Sequence, residues 1–153
     1  MNCEGPELLT TLGLLCLRAD RGDQALDVLR RSLRADPRNP KTVIATASIL
    51  QDQAQLEEAL LLYRVAAQVN GNSPQLWNNI GMCFFSRQQH VGALACLKKA
   101  LYLGPFEWIT CHNLGLVHLT LEQYCSAFHY FSAAVNLNPS ELLARFPMWS
   151  CRP

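Results

Sequence analysis

Cysteine and histidine gather in one stretch of this sequence: Cys111, His112, His118, Cys125 and His129. Cys111 and His118 are seven residues apart, and Cys125 and His129 are four apart, so each pair shares one face of a helix. Two thiolates and two imidazoles are a ligand set that zinc accepts. The competing reading is packing, because Cys111 and His118 occupy columns held elsewhere in the chain by Trp77 and Phe84, which are packing positions. Packing is preferred, and no residue is assigned to a metal, a cofactor or catalysis. The sequence contains no Gly-rich phosphate loop following a strand pattern, no G-x-S-x-G, no H-E-x-x-H and no C-x2-C pair. A non-enzymatic protein is expected, with a zinc-dependent activity at the Cys/His cluster as the enzyme-class alternative.

The elements that position these residues are legible in the stretch SPQLWNNIGMCFFSRQQHVGALACLKKALYLGP, residues 73–105. Trp77, Ile80, Gly81, Phe84, Ala93, Leu97, Ala100 and Pro105 fall at W-x2-L-G-x2-Y, A-x3-F and P spacings, the signature of a tetratricopeptide helix-turn-helix unit. Trp77, Ile80 and Phe84 lie at i, i+3 and i+7, one apolar stripe. Gly81 lets a second helix approach that stripe, and Ala93, Leu97 and Ala100 form the face that meets it. Pro105 ends the second helix. Ser73 is the expected N-cap, with Pro74 at the first helical position.

The pattern recurs every 34 residues. The small residue of the first helix is Gly13, Ala47, Gly81 and Gly115, and the alanine of the second is Ala25, Ala59, Ala93 and Ala127. Their large partners are Leu29, Tyr63, Leu97 and Phe131, and the terminators are Pro37, Gly71, Pro105 and Pro139. The prediction is an all-α, right-handed α-solenoid of four tetratricopeptide repeats at about 6–39, 40–73, 74–107 and 108–141. A short tail at 1–5 precedes them. Residues 142–153 read as an aborted fifth repeat, with RFPMWSCRP leaving the pattern. The second repeat matches least well, with Val43, Thr46 and Ala47 in place of Trp77, Ile80 and Gly81.

With 13 basic and 12 acidic residues in 153, the chain carries no overall field to attract nucleic acid or an anionic membrane. Arg30, Arg31, Arg34 and Arg38 follow Asp20, Asp23 and Asp27 along the second helix of the first repeat, an order that complements the helix dipole and reads as a solvated face. The seven cysteines are scattered, odd in number and mostly within apolar helical stripes, which implies a reducing compartment. The apolar run at 8–17 follows Glu4 and Glu7 with no basic region before it, unlike a signal peptide. No run approaches a membrane span, so an intracellular, cytoplasmic protein is expected.

A peptide groove is the better-motivated site. In such repeats the inward-facing residues of the first helix come at positions two, five, nine and twelve. In the second repeat these are Lys41, Ile44, Ser48 and Gln51; in the third, Gln75, Asn78, Met82 and Phe85; in the fourth, Ile109, His112, Leu116 and Leu119. Ile44, Ser48, Asn78, Met82, Phe85, His112, Leu116 and Leu119 are the candidate partner-binding residues of the concave face. Met82, Phe85, Leu116 and Leu119 predict an apolar trough for a helix or extended hydrophobic segment, although packing against the next repeat explains some of them equally well. A chaperone-type adaptor clamping an acidic tail needs Lys, Arg and Asn there, and only Lys41 and Asn78 qualify.

The segments ELLTTLGLL at 7–15, LWNNIGMCFF at 76–85, NLGLVHLT at 113–120 and SAFHYFSAAVN at 126–136 closely resemble the Bardet-Biedl syndrome four family. The resemblance runs from about Glu7 to Pro139 and includes Asn79, Cys83 and His118, which a generic repeat does not require. It implies a non-enzymatic subunit of the BBSome, the complex that carries membrane proteins into and out of cilia. The implied partners are other BBSome subunits, pericentriolar material and dynactin components. The implied locations are the basal body, the centrosome and centriolar satellites. Family members are longer, so a truncated chain is expected.

Overall fold

The computed structural model describes residues 5–140. Among them run eight α-helices and no strand: α1 (Pro6–Arg18), α2 (Gly22–Ala35), α3 (Pro40–Asp52), α4 (Leu56–Val69), α5 (Pro74–Ser86), α6 (His90–Leu103), α7 (Trp108–Thr120) and α8 (Tyr124–Leu137). Odd-numbered helices start at Pro6, Pro40, Pro74 and Trp108, and even-numbered ones at Gly22, Leu56, His90 and Tyr124, each series at 34-residue intervals. The expected aborted repeat at 142–153 lies outside the described residues, as does most of the expected tail at 1–5. No helix among the described residues is long and apolar enough to cross a membrane.

Local chemistry sets the helix boundaries. Proline at the first position of α1 and α3 lacks an amide that would have had no intrahelical partner. Asn39 Oδ1 accepts from the amides of Lys41 and Thr42, at 3.1 and 3.4 Å, and Ser73 Oγ accepts from the Leu76 amide at 3.3 Å. The even helices stop two residues before Pro37, Gly71, Pro105 and Pro139. Asp36, Asn70, Gly104 and Asn138 all have ψ between 79° and 92°; a following proline favours that extended backbone at three of them, and Asn70 adopts it before Gly71.

Each odd helix ends in the same turn. Asp20, Ala54, Gln88 and Glu122 take φ between 57° and 60°, the left-handed region, although none is glycine. The amide after each, on Arg21, Gln55, Gln89 and Gln123, reaches back to the carbonyl of Cys16, Leu50, Phe84 and His118 at 2.8–2.9 Å. Their own amides bond to Leu17, Gln51, Phe85 and Leu119. This is the Schellman arrangement, which satisfies carbonyls that the helix end would otherwise orphan.

The chain falls into two compact units, 1–79 and 80–153. In the first, α1 packs with α2 and α3, α2 with α3, and α3 with α4. Leu29, Val43, Ala47, Ala59 and Tyr63 are fully buried there. A side chain on Gly13 would put its Cβ 2.5 Å from Leu29 Cγ, so only glycine admits Leu29 at that helix contact. A buried hydroxyl network, Thr10–Ser32–Thr42, ties α1, α2 and α3 together. Thr10 Oγ1 lies 2.9 Å from Ser32 Oγ and 2.6 Å from Thr42 Oγ1, and the Pro6 carbonyl accepts from Thr10 and Ser32 at 2.8 Å.

In the second unit α6 and α8 pack on α7. Ala93, Leu97, Leu114 and Val117 form its buried centre, flanked by Met82, Phe84, Phe85, Leu94 and Leu101. The apolar stripe of α5 differs in detail from the one expected from spacing. Leu76, Ile80 and Cys83 are the buried positions, while Trp77 and Phe84 are only half-buried. Trp77 directs its indole N–H to the Gly71 carbonyl at 2.7 Å, which keeps one edge of the ring at the surface.

Candidate partner-binding surface

Partner-binding candidates on α3 and on the first turns of α5 belong to the first unit. Ile44, Ser48 and Asn78 are all half-buried. Beside the α3 residues, an open cleft of about 660 Å³ is lined by Glu7, Thr10, Thr11 and Leu14 of α1, by Asp36, Arg38 and Asn39 of the connecting loop, and by Pro40 and Lys41. Glu7, Thr10 and Leu14 fall at the second, fifth and ninth positions of their repeat, the same register as Lys41, Ile44 and Ser48. The cleft pairs two cations with two carboxylates, Glu7 and Asp36. Those carboxylates would face the acidic tail that a chaperone-type clamp recognises, and like charges disfavour that ligand.

The second unit carries the apolar candidates. Met82 and Phe85 pack against the buried cluster, and Phe85 also tilts against His90 with ring centroids 5.8 Å apart. Much of their surface is thus committed to the core. His112 is held between aromatic rings, 6.4 Å from Trp108 and 5.5 Å from Phe131. Leu116 is half-buried, and Leu119 is 45 % exposed, the most accessible apolar candidate on α7. The packing candidates Ala25, Ala47, Ala59, Ala93 and Ala127 are all buried, and Gly13, Gly81 and Gly115 lie directly against Leu29, Leu97 and Phe131.

The Cys/His cluster is arranged for packing. Cys111 and His118 are buried, whereas Cys125 and His129 are exposed on α8. Among the described residues no three His, Cys, Asp or Glu side chains converge as a metal site. His118 stacks parallel on Tyr130 at 5.2 Å and places Nδ1 2.6 Å from Gln123 Oε1, which accepts from it. That bond joins the end of α7 to the residue whose own amide closes the α7 turn. Nε2, the other ring nitrogen, is buried without a hydrogen-bond partner. Cys16, Cys83, Cys96, Cys111 and Cys125 are free thiols. Burial pushes the Cys83 thiol up to about 11, against a smaller opposing pull from Arg87, and raises Cys96 and Cys111 as well. Thiols held protonated are poor nucleophiles and poor metal ligands.

Two models, each described as a tetratricopeptide repeat, match residues 44–107 and 110–141. The chain belongs to the tetratricopeptide-repeat family. Solved structures agree on the tetratricopeptide α-solenoid fold. MamA aligns with a TM-score of 0.80 at 16% identity over 92% of this chain and 82% of that one. The Cut9 and Hcn1 hetero-tetramer of the APC/C aligns with a TM-score of 0.84 at 18% identity over 91% of this chain and 26% of that one. At such identities the likeness concerns the fold alone. Among curated sequences, the tetratricopeptide chain is similar to the BBSome complex member BBS4 of Bos taurus, at 49% identity over 136 residues. The Mus musculus protein of the same name is 51% identical over 136 residues, and the Caenorhabditis elegans BBSome complex member bbs-4 is 33% identical over 141. These alignments cover 89%, 89% and 92% of this chain. The chain spans about a quarter of the relatives' length, 26% of the bovine and mouse proteins and 30% of the nematode one.

Proposed function

We propose that this chain is a non-enzymatic protein-interaction scaffold of the BBSome type, serving ciliary membrane-protein trafficking and cilium assembly. The observation that carries this reading is 49–51% identity to BBSome complex member BBS4 over 89% of the chain. Buried, protonated thiols and the packed His118 support a structural role for residues that otherwise resemble a reactive cluster. The repeats at 6–39, 40–73, 74–107 and 108–141 are the proposed structural divisions, and Ile44, Ser48, Asn78, Met82, Phe85, His112, Leu116 and Leu119 the proposed partner-facing positions.

Other BBSome subunits are the first proposed partners, with pericentriolar material and dynactin components as further ones. The proposed location is the cytoplasm, at the basal body, centrosome and centriolar satellites. The decisive experiment is co-purification of the tagged chain from ciliated cells beside Leu119→Asp, a substitution at an accessible site. BBSome subunits are expected with the parent and lost with the variant, at equal helicity and melting temperature. Recovery with neither chain overturns the assignment. Equal recovery with both removes Leu119 from the contact surface.

A further inference from the structure

Helix α6 turns one face to the core and the opposite face outward. Ala93, Leu97 and Ala100 are fully buried, and at 3.6 residues per turn the side opposite them carries Val91, Ala95, Lys98 and Tyr102. All four are exposed, Val91 at 85 % and Tyr102 at 87 %, and Phe106, in the connection that follows, is 83 % exposed. This exposure belongs to the face rather than to the place of α6 in the chain. At 34-residue intervals Val91 corresponds to Asp23, Glu57 and Cys125, and Tyr102 to Arg34, Gln68 and Asn136, and every one of these is exposed. Packing between neighbouring helices thus leaves this side uncovered in all four even-numbered helices, and α6 is the one that places both a β-branched residue and an aromatic ring there.

The charge on the same stripe narrows what can cover it. Helices α5, α6, α7 and α8 contain no Asp or Glu, and Lys98 and Lys99 are their only Lys or Arg. Lys98 lies between Ala95 and Tyr102, about one turn from each. An ammonium group inside an apolar stripe, with no carboxylate on its own helix, favours an occupant that brings apolar surface and negative charge together. A lipid surface fits less well. A helix lying on a membrane keeps its cations on a separate polar face, whereas seating Val91 and Tyr102 among acyl chains would carry Lys98 in with them.

We infer that the outward face of α6 docks an acidic amphipathic helix of another protein. The stripe from Val91 to Tyr102 rises about 16 Å at 1.5 Å per residue, roughly three turns of the incoming helix. Apolar side chains at the two ends of that helix's seam cover Val91 with Ala95 at one end and Tyr102 at the other. A carboxylate between them meets Lys98, with Lys99 at the edge of the contact. This surface is separate from the inward-facing positions of the odd-numbered helices, and the inference is independent of the ciliary assignment.

The test is selection by the purified 153-residue chain from a displayed library of helical peptides, with leucine fixed at the two ends of one seam and the other positions randomised. Peptides are kept that bind the parent but not Tyr102→Ser. The survivors are expected to be richer in Asp and Glu than the starting library. Each should bind Lys98→Glu at least about tenfold more weakly than the parent, and exchanging its central carboxylate for an ammonium should restore binding to that variant. Tyr102 and Lys98 are exposed, and circular dichroism of both variants, with Val91→Ser as a second apolar variant, separates lost contact from lost folding. Vesicles of phosphatidylserine and phosphatidylcholine are expected to leave the chain in solution. A selection that yields no peptide or no acidic enrichment would overturn the inference. So would equal binding of Lys98→Glu, a charge exchange that restores nothing, or sedimentation with those vesicles that Tyr102→Ser abolishes.

Discussion

A Cβ built on Gly81 would lie 2.7 Å from Leu97 Cγ and 3.3 Å from the Ala93 carbonyl oxygen. Leu97 and Ala93 are fully buried, so the side chain has little room to withdraw and the carbonyl has none. Gly81→Leu is expected to cost about 3 kcal/mol through overpacking. Ala47→Gly, at the corresponding position of the second repeat, should cost only about 1 kcal/mol, the usual penalty of glycine within a helix. Chemical denaturation of both variants checks the difference, and equal stabilities would contradict the close approach.

Thr10 Oγ1 contacts two hydroxyls, on Ser32 and Thr42, and the Pro6 carbonyl, and Thr42 Oγ1, 2.6 Å away, is buried with it. Thr10→Val removes that partner while keeping the shape, leaving a buried hydroxyl unsatisfied at a cost of roughly 1–3 kcal/mol. The double variant Thr10→Val, Thr42→Val should be less destabilised than the sum of its singles, because it removes the orphan as well. Strict additivity of the denaturation free energies would count against the network.

Ala54 and Gln88 hold φ of 60° without being glycine. A left-handed conformation strains an L-residue by about 1–2 kcal/mol, and glycine removes the strain at some entropic cost in the unfolded chain. Ala54→Gly and Gln88→Gly are each expected to raise stability by roughly 0.5–1 kcal/mol. A lowered melting temperature for both would show that the turn is not strained.

The Cys83 thiol gives the pH dependence its sign. Burial raises it from an ordinary value of 9.0 to about 11 in the folded chain, so between these values the unfolded chain has lost a proton that the folded chain retains. Proton binding then favours the folded state less as pH rises: stability present below pH 9 is lost progressively towards pH 11, by up to about 2 kcal/mol. Cys83→Ala lacks this term. Denaturation midpoints of parent and variant should therefore converge as the pH is raised from 9 to 11, and parallel profiles would show that Cys83 titrates normally.

Much of this architecture was legible because size patterns leave a mark on sequence. The glycine of one helix and the leucine or phenylalanine of its partner must be chosen together, so Gly13 with Leu29, Gly81 with Leu97 and Gly115 with Phe131 stand out as columns. The left-handed turn residues were not legible. Asp20, Ala54, Gln88 and Glu122 share no chemistry, because the turn is closed by backbone amides and carbonyls alone. The Thr10, Ser32 and Thr42 network was equally hidden, since each hydroxyl has a sequence neighbourhood compatible with a surface position and only the fold brings them together. For the candidate surface, spacing selects Met82 and Phe85 by helical face but cannot tell that a ring facing that way is already packed on Leu97 and its neighbours. Trp77 shows the same limit in reverse, as its indole N–H bond to Gly71 draws it outward from the stripe.

The hydroxyl network has a mechanical consequence. Ser32 is followed at 34-residue intervals by Ala66, Ala100 and Ala134, all buried. Methyl contacts weaken gradually as two helices slide, whereas a hydrogen bond is lost within a fraction of its own length. Under a pulling load, the junction of α1, α2 and α3 should therefore behave as a stiff link that yields abruptly. The alanine-lined helices α6 and α8 should give way more elastically on α7, so that force applied along the chain is absorbed there before the first helices part.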